Sequence, residues 1–250
     1  MSESLFALEK AAFAAWPGLE VHDVGPWHLR FANGYTKRAN SANLLAKADQ
    51  LSLDMMAEIE AHYHNRNLPP IFRLASFAAE PAVDSMLTDR GYRLNDVTLV
   101  QTQSLQDKVF ADTPYIEFLP VEQWFEAFQG ISGKVGDGQA THLKMLQAIR
   151  GKCSFAVLAQ QGEAVCCGLA VVSGSYCGLF DIATAGYARK QGLATRLCTD
   201  LLAWGQQEGA QTAYLQVTAH NLAAINVYEQ LGFRRAYEYW YRVGALSAVS

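Results

Sequence analysis

The amino-acid sequence predicts an α+β fold: a mixed, mostly antiparallel twisted sheet flanked by helices. Strand-like runs at 153–160, 164–173 and 176–184 are joined by Gln161-Gly162-Glu163 and Ser173-Gly174-Ser175, links of hairpin size. Leu193, Leu197, Leu201 and Trp204 form an i, i+4, i+8, i+11 stripe, the mark of a helix that packs one face on a sheet. Short strands and helices then alternate toward the end of the chain, with Gly209 and Gly232 placed as helix stops.

Taken in order, Trp27-His28-Leu29-Arg30-Phe31 and Thr36-Lys37-Arg38-Ala39-Asn40 flank Ala32-Asn33-Gly34-Tyr35, and the Asn-Gly step predicts a hairpin with a type I′ turn. Residues 51–63 have helical periodicity and stop at Asn67-Leu68-Pro69-Pro70. A strand at 71–75, a helix at 82–90 closed by Gly91, and a strand at 97–103 follow. The polar stretch 104–113 marks a boundary, giving an N-terminal α/β region at 1–107 and a second domain at 108–250. Beyond it come helices at 121–131 and 140–150, the three hairpin strands, the striped helix, a strand at 214–218, a helix at 222–231 and a last strand at 237–243.

A faint repeat links the halves. Strand, helix and Leu87-Thr88-Asp89-Arg90-Gly91-Tyr92 mirror strand, helix and Tyr228-Glu229-Gln230-Leu231-Gly232-Phe233. Arg73 to Gly91 and Tyr214 to Gly232 both span 18 positions, so spacing, cap glycine and aromatic coincide as in a tandem duplication whose first copy is degenerate.

At 250 residues the chain can hold one large domain or two small ones with ample apolar material for cores. Half the residues are hydrophobic and 18% are charged, a globular, soluble composition. A net charge of -4 argues against nucleic-acid binding, which rests on a basic surface. The N-terminus lacks a basic region followed by an apolar run, and no stretch approaches the ~18 uninterrupted apolar residues of a membrane span. A cytoplasmic protein with no membrane partner is expected, as a monomer or homodimer. Cys153, Cys166, Cys167, Cys177 and Cys198 are odd in number and lack CxxC spacing, which predicts buried free thiols rather than a disulfide framework or a metal site. His62 and His64 diverge on a helix and have no carboxylate to complete a ligand set.

The turn Arg189-Lys190-Gln191-Gly192-Leu193-Ala194 follows a strand and opens the striped helix. Such a turn leaves backbone N–H groups unpaired at the positive end of the helix dipole, a ready site for phosphate oxygens. A nucleoside-triphosphate loop would end Gly-Lys-Ser/Thr, but Gly192 is followed by Leu193-Ala194-Thr195. A dinucleotide fold would set the turn in a parallel crossover, whereas here it follows antiparallel hairpins.

What remains resembles the GNAT superfamily of acetyl-CoA-dependent N-acetyltransferases. Its Gln/Arg-x-x-Gly-x-Gly/Ala signature is met by Arg189, Gly192 and Ala194. The likeness extends upstream through Asp181-Ile182-Ala183-Thr184 and downstream through Asn221, Ala224, Tyr228 and Leu231-Gly232-Phe233, covering about residues 151–243. Gly186 departs from the proline that members often carry there.

The resemblance implies acetyl-CoA as co-substrate, without a metal. It implies that the N–H groups of Gln191, Gly192, Leu193, Ala194 and Thr195 hold the pyrophosphate, with Arg189 and Lys190 beside it. The strand Ile182, Ala183, Thr184 would splay from residues 215–217 and pair with pantetheine amides, an N–H near Thr184 polarising the thioester carbonyl. Asn221 and Asn226 would contact CoA or bound water, and Tyr228 would be the general acid. A phenol with a pKa of about 10 can protonate a departing thiolate whose thiol has a pKa of about 8.5; a packed aromatic is the other reading of Tyr228. Asp181 is the nearest carboxylate and a candidate base, but strand alternation puts it on the face opposite Ile182 and Thr184, as a structural residue would be.

By the same resemblance Trp124, Phe128, the segment 133–138 and Tyr239-Trp240-Tyr241 would wall an acceptor site suited to a small amine or amino acid. The region 33–43, with Tyr35, Arg38 and Asn40, offers polar residues for an acceptor carboxylate, a solvated hairpin being its other reading. The expected reaction is direct attack of the amine on acetyl-CoA in a ternary complex. A non-catalytic CoA-binding module and an acyltransferase for longer acyl-CoA stand as alternatives.

Overall fold

The computed structural model describes residues 2–47, 51–110, 115–134 and 136–246. In chain order the elements begin with α1 (Ser2–Ala15), β1 (Glu20–Val24), β2 (Trp27–Phe31), β3 (Ala42–Leu44), α2 (Leu53–His64), β4 (Ile71–Ala75), α3 (Pro81–Asp89) and β5 (Arg93–Ser104). They continue with β6 (Glu117–Phe118), α4 (Val121–Ser132), α5 (Gln139–Gln147), β7 (Lys152–Gln160), β8 (Glu163–Ser173), β9 (Tyr176–Thr184), α6 (Leu193–Gln207), β10 (Thr212–Thr218), α7 (Leu222–Leu231) and β11 (Arg234–Val243). The strands form mixed, mostly antiparallel pairings, as predicted.

Two compact units divide the chain: Met1–Leu99 with Tyr237–Ser250, and Val100–Ala236. The polar stretch 104–113, whose residues 111–113 lie outside the described residues, falls in the second unit. The last strand, assigned from sequence to the second domain, is counted from Tyr237 onward with the first.

In the first unit β2 pairs antiparallel with both β1 and β3, β3 runs parallel to β4, and β4 pairs antiparallel with β11 from Tyr239↔Ala75 to Val243↔Ile71. Trp27, Leu29, Ile59, Tyr63, Phe72 and Leu74 are fully buried and make its core. Ser52 caps α2 by accepting the Met55 N–H at 3.2 Å, and Asp84 of α3 holds Arg242 and Trp240 of β11 at 2.7–2.8 Å.

The predicted hairpin at 27–40 is corrected. Asn33 and Gly34 do turn the chain with positive φ, 49° and 72°, but residues 37–39 form a 3-10 turn and β2 pairs instead with Ala42–Leu44. The cause is Asn40, which is buried: its Oδ1 accepts the Ala32 and Gly34 N–H groups at 2.7 and 2.9 Å and its Nδ2 donates to Thr36 O at 2.7 Å. These bonds tie the segment into a closed loop, so the solvated-hairpin reading fails as well.

In the second unit the strand order is β5-β10-β9-β8-β7-β6. The β7–β8 and β8–β9 hairpins form as predicted. On α6, Leu193, Leu197 and Leu201 are buried while Trp204 is half-buried. The two similar stretches share a local order of elements. Helices α3 and α7 are each followed by a left-handed glycine, Gly91 at φ +83° and Gly232 at φ +100°, then by a buried aromatic, Tyr92 or Phe233. The strand before each helix closes a parallel pair, β3–β4 or β9–β10.

Candidate functional site

The site is built where two neighbouring strands of the second unit part. The parallel ladder between β10 and β9 is registered from Thr212↔Tyr176 to Leu215↔Leu179. Beyond it β9 continues to Thr184 and β10 to Thr218 without further mutual register. A gap opens between them, bordered by main chain that no ladder satisfies on that side. A cavity of about 700 Å³ lies at the unpaired end of β9, lined by β9, the turn into α6, the start of α7 and the end of α4. That volume falls within the ordinary range for a small-molecule or cofactor cleft.

The floor is shaped by a β-bulge. Register between β8 and β9 slips from Cys167↔Ala183 to Leu169↔Phe180, so two residues, Asp181 and Ile182, stand opposite one, Gly168. Asp181 takes the left-handed conformation this requires, at φ +49°. The extra residue breaks the alternation on which the sequence placed Asp181 on the far face. Instead Asp181, Ile182, Ala183 and Thr184 all line the cavity. Gly168 leaves the room that the bulge needs: a Cβ there would sit 2.5 Å from Ile182 Cδ1.

Asp181 has a partner that sequence reasoning missed. His142 of α5 is fully buried, held edge-on between the rings of Phe125 and Phe128 with centroids at 5.2 and 5.4 Å. Its Nε2 lies 2.8 Å from Asp181 Oδ2. The two are 39 residues apart, and a lone histidine in a polar helix carries no sequence signal. The trace that could have been followed is Asp181 itself, a carboxylate inside an otherwise apolar strand.

The turn into α6 carries the opposite charge. Lys190 and Gly192 both have positive φ, 62° and 75°, and Gly192 as N-cap brings no side chain to the first helical N–H groups. The N–H groups of Leu193, Ala194 and Thr195 therefore remain for an outside acceptor. A Cβ at Gly192 would meet nothing within 4 Å, so glycine answers to conformation there rather than to close approach. Arg189, Lys190, Gly192, Leu193, Ala194 and Thr195 line the cavity with Lys134, and Asp181 is the sole carboxylate among its lining residues. Arg189 reaches back toward the Thr184 carbonyl at 3.5 Å.

Other predicted site residues distribute unevenly. Asn221 lines the cavity, but its Oδ1 caps α7 by accepting the Ala224 N–H at 3.2 Å. Gln191 lies outside the lining and pairs with Gln160 at 3.3 Å. Asn226 is not brought to the cavity; it borders a separate open depression with Glu229, Gln230 and Arg234. Tyr228 is not among the cavity's lining residues; it packs edge-on to Phe233 with its phenol near the Cys198 and Cys166 thiols. Burial raises that phenol above its usual range, with the two thiols adding to the shift. Cys166 in turn meets Thr184 Oγ1 at 3.2 Å. Phe128, Ser132 and Lys134 reach the cavity from α4 and its C-terminal end, while Trp124 is core, donating its Nε1–H to Ala156 O at 3.0 Å. Val135, within the expected 133–138 wall, lies outside the described residues.

The sequence resemblance implied a β9 that parts from β10 ahead of an open helix N-terminus; the bulge at Asp181 it did not imply. Residues 3–242 match the sequence profile of the family described as "Probable histone acetyltransferase Rv0428c C-terminal". The chain belongs to that family, within the GNAT superfamily. A curated relative, "Uncharacterized N-acetyltransferase YobR" of Bacillus subtilis (strain 168), is 27% identical over 242 residues that cover 94% of this chain and 97% of the relative. Among solved structures, a GCN5-related N-acetyltransferase from Kribbella flavida superposes with a TM-score of 0.71 at 13% identity, covering 98% of this chain and 96% of that one. A "Tandem GNAT protein from the clavulanic acid biosynthesis pathway" superposes with a TM-score of 0.56 at 14% identity, covering 83% and 76%. At such identities these two establish the fold. All five cysteines are free, Cys166, Cys167, Cys177 and Cys198 buried around β8, β9 and α6 and Cys153 half-buried, short of the burial expected for it, and no helix among the described residues is long and apolar enough to cross a membrane.

Proposed function

We propose that this GNAT acetyltransferase moves an acetyl group from acetyl-CoA to the amine of a small, amino-acid-like acceptor by direct attack in a ternary complex. The observation that carries the reading is the gap between β9 and β10, with the open N-terminus of α6 at one end and Asp181 on its floor. The first-turn N–H groups of α6, flanked by Arg189 and Lys190, suit a pyrophosphate. The unladdered edge at Ile182–Thr184 suits the amides of pantetheine, which then aligns the thioester with an N–H near Thr184.

In this reading Asp181 accepts, directly or through water, the proton that the acceptor ammonium must lose before its nitrogen can attack, and His142 fixes the carboxylate in its rotamer. Tyr228 stays protonated through the neutral range because burial opposes its ionisation, and it returns a proton to the CoA thiolate. The first unit, whose strand–helix–glycine–aromatic order matches that of the second, has no counterpart of the glycine turn before α6 and does not repeat the chemistry. Free buried thiols fit a reducing, cytoplasmic setting.

The test is release of free CoA from acetyl-CoA against amines, amino acids and a lysine-rich peptide, with Tyr228→Phe alongside. Turnover of amino acids, reduced in Tyr228→Phe, is the expected result. Tight acetyl-CoA binding with no turnover of any amine would instead make the chain a CoA-binding module. Preference for longer acyl donors would revise the donor, and turnover of the peptide alone would revise the acceptor.

A further inference from the structure

The cavity carries charge of both signs, and the cations fall into two groups. Its cationic lining residues are Lys134, Arg189 and Lys190, and its acidic one is Asp181. Arg189 and Lys190 belong to the turn into α6, where Arg189 reaches toward the carbonyl of Thr184, the last residue of β9. Lys134 belongs elsewhere. It follows Gly133, the left-handed residue that ends α4 at φ +65°, and its Nζ lies over the Phe128 ring, 5.5 Å from the centroid. Phe128 in turn meets the His142 ring edge-on at 5.4 Å, and His142 Nε2 lies 2.8 Å from Asp181 Oδ2. A continuous row of contacts therefore runs from the Lys134 ammonium through one aromatic ring to the His142–Asp181 pair. Lys134 is the cation at the Asp181 end of the cavity, and Arg189 serves the Thr184 end.

Lys134 is exposed, and its ammonium makes no hydrogen bond or ion pair with a described residue. An exposed lysine is ordinary on a surface; this one is set over a ring that lines the cavity, on the same wall as a hydroxyl. That hydroxyl is Ser132, whose Oγ accepts the Lys134 N–H at 3.3 Å, so its own proton remains for a second partner. We propose that Lys134, with Ser132 beside it, binds a carboxylate of the acceptor, so that the preferred substrate is an amine with a carboxylate at its far end. The proposal rests on the acetyltransferase reading, which puts the acceptor nitrogen at Asp181. Opposite charges on the two sides of one apolar ring match a zwitterion: ammonium toward Asp181, hydrocarbon along Phe128, carboxylate at Lys134. A diamine would bring its second cation against Lys134. One ammonium balances a monoanion, whereas a phosphate dianion calls for more donors, and the α6 N–H groups with Arg189 and Lys190 offer those past Thr184.

The experiment measures kcat/KM for CoA release from acetyl-CoA with straight-chain amino acids of increasing length, each paired with its carboxamide, at constant ionic strength. The best acid is expected to exceed its carboxamide by about 5–10-fold, between the worth of an exposed ion pair and that of a charge-assisted hydrogen bond. Lys134→Gln is expected to remove that preference, Lys134→Arg to keep it and Lys134→Glu to reverse it. Each variant is compared with the unaltered chain on the same pair, so differences in amine basicity cancel. CoA affinity by isothermal titration should stay within about twofold, on the order of an unperturbed site. A ratio unmoved by Lys134→Gln would overturn the proposal, and if CoA affinity fell at the same time Lys134 would be a cofactor contact instead. Equal use of acid and carboxamide by the unaltered chain would overturn it while leaving the transferase reading intact. If no amine turns over, titration of the same pairs into the CoA-saturated chain decides. Acids favoured there through Lys134 would sink the transfer reading and leave the carboxylate site standing; equal binding would sink both.

Discussion

Replacing Gly192 with alanine separates the conformational demand of the turn from its sterics. A Cβ at that position meets no heavy atom within 4 Å, so a clash contributes nothing. What remains is backbone: φ is +75°, a region that costs an L-residue about 1–2 kcal/mol. Where the penalty falls depends on the unliganded protein. If the turn keeps its shape without ligand, Gly192→Ala lowers folding stability and leaves CoA affinity alone. If the turn relaxes, binding must restore it, and the CoA dissociation constant rises by up to about 5–30-fold, the equivalent of the same free energy. The two losses together should therefore come to about 1–2 kcal/mol. Urea unfolding and isothermal titration with CoA measure the two shares. An alanine variant unchanged in both would refute the argument that the left-handed turn is required.

Other outcomes follow from the same geometry. Asp181→Asn should lower kcat by about 10²–10⁴-fold, the usual worth of a positioned base, with CoA affinity held; His142→Gln should lower kcat more than it raises KM and displace the pH–rate profile, which a purely structural histidine would not do. Gly168→Ala puts a Cβ 2.5 Å from Ile182 Cδ1 and 3.0 Å from Leu197 Cδ2, so unfolding should show a loss of about 1–3 kcal/mol from overpacking, and kcat should fall as the bulge moves. Alkaline stability should decline. Burial pushes the thiols of Cys166, Cys167 and Cys198 upward and that of Cys177 to about 12 from 9.0. Unfolded thiols ionise near 8.5 while the folded ones stay protonated, so stability holds below that pH and falls above it by about 1.4 kcal/mol per pH unit for each thiol. A urea midpoint that is flat between pH 8 and 10.5, on the order of two units above the free-thiol value, would contradict the burial argument.

Legibility differed between the two units for identifiable reasons. In the second, alternating hairpins, a leucine stripe and glycine caps are local signals, so Tyr176–Thr184 and Leu222–Leu231 form at the predicted residues. The bulge was invisible because a non-glycine residue, Asp181, adopts positive φ there, and the alternation rule carries no term for an inserted residue. The partnership with His142 is a tertiary fact. In the first unit α1 was not predicted, lacking a marked stripe or cap, and β1 and β3 are five and three residues long. The Asn33-Gly34 turn was read correctly, yet what followed it was decided by the buried side chain of Asn40, a competition that a turn motif alone does not register.

Strand β11 ties its fate to the order of synthesis. The second unit is one continuous stretch of chain, whereas the first is completed only by residues from Tyr237 onward, which pair with β4 and supply the hydroxyl that Glu9 accepts. On a ribosome the second unit can assemble while the first still lacks a strand. Until that strand emerges, β4 presents an unpaired edge and Arg73 and Glu9 lack part of their cover, a state open to aggregation and chaperone capture. The segment from Tyr237 onward is thus the latch on a unit whose other strands are made earlier, and a chain truncated after Ala236 should fold its second unit while its first stays unfinished.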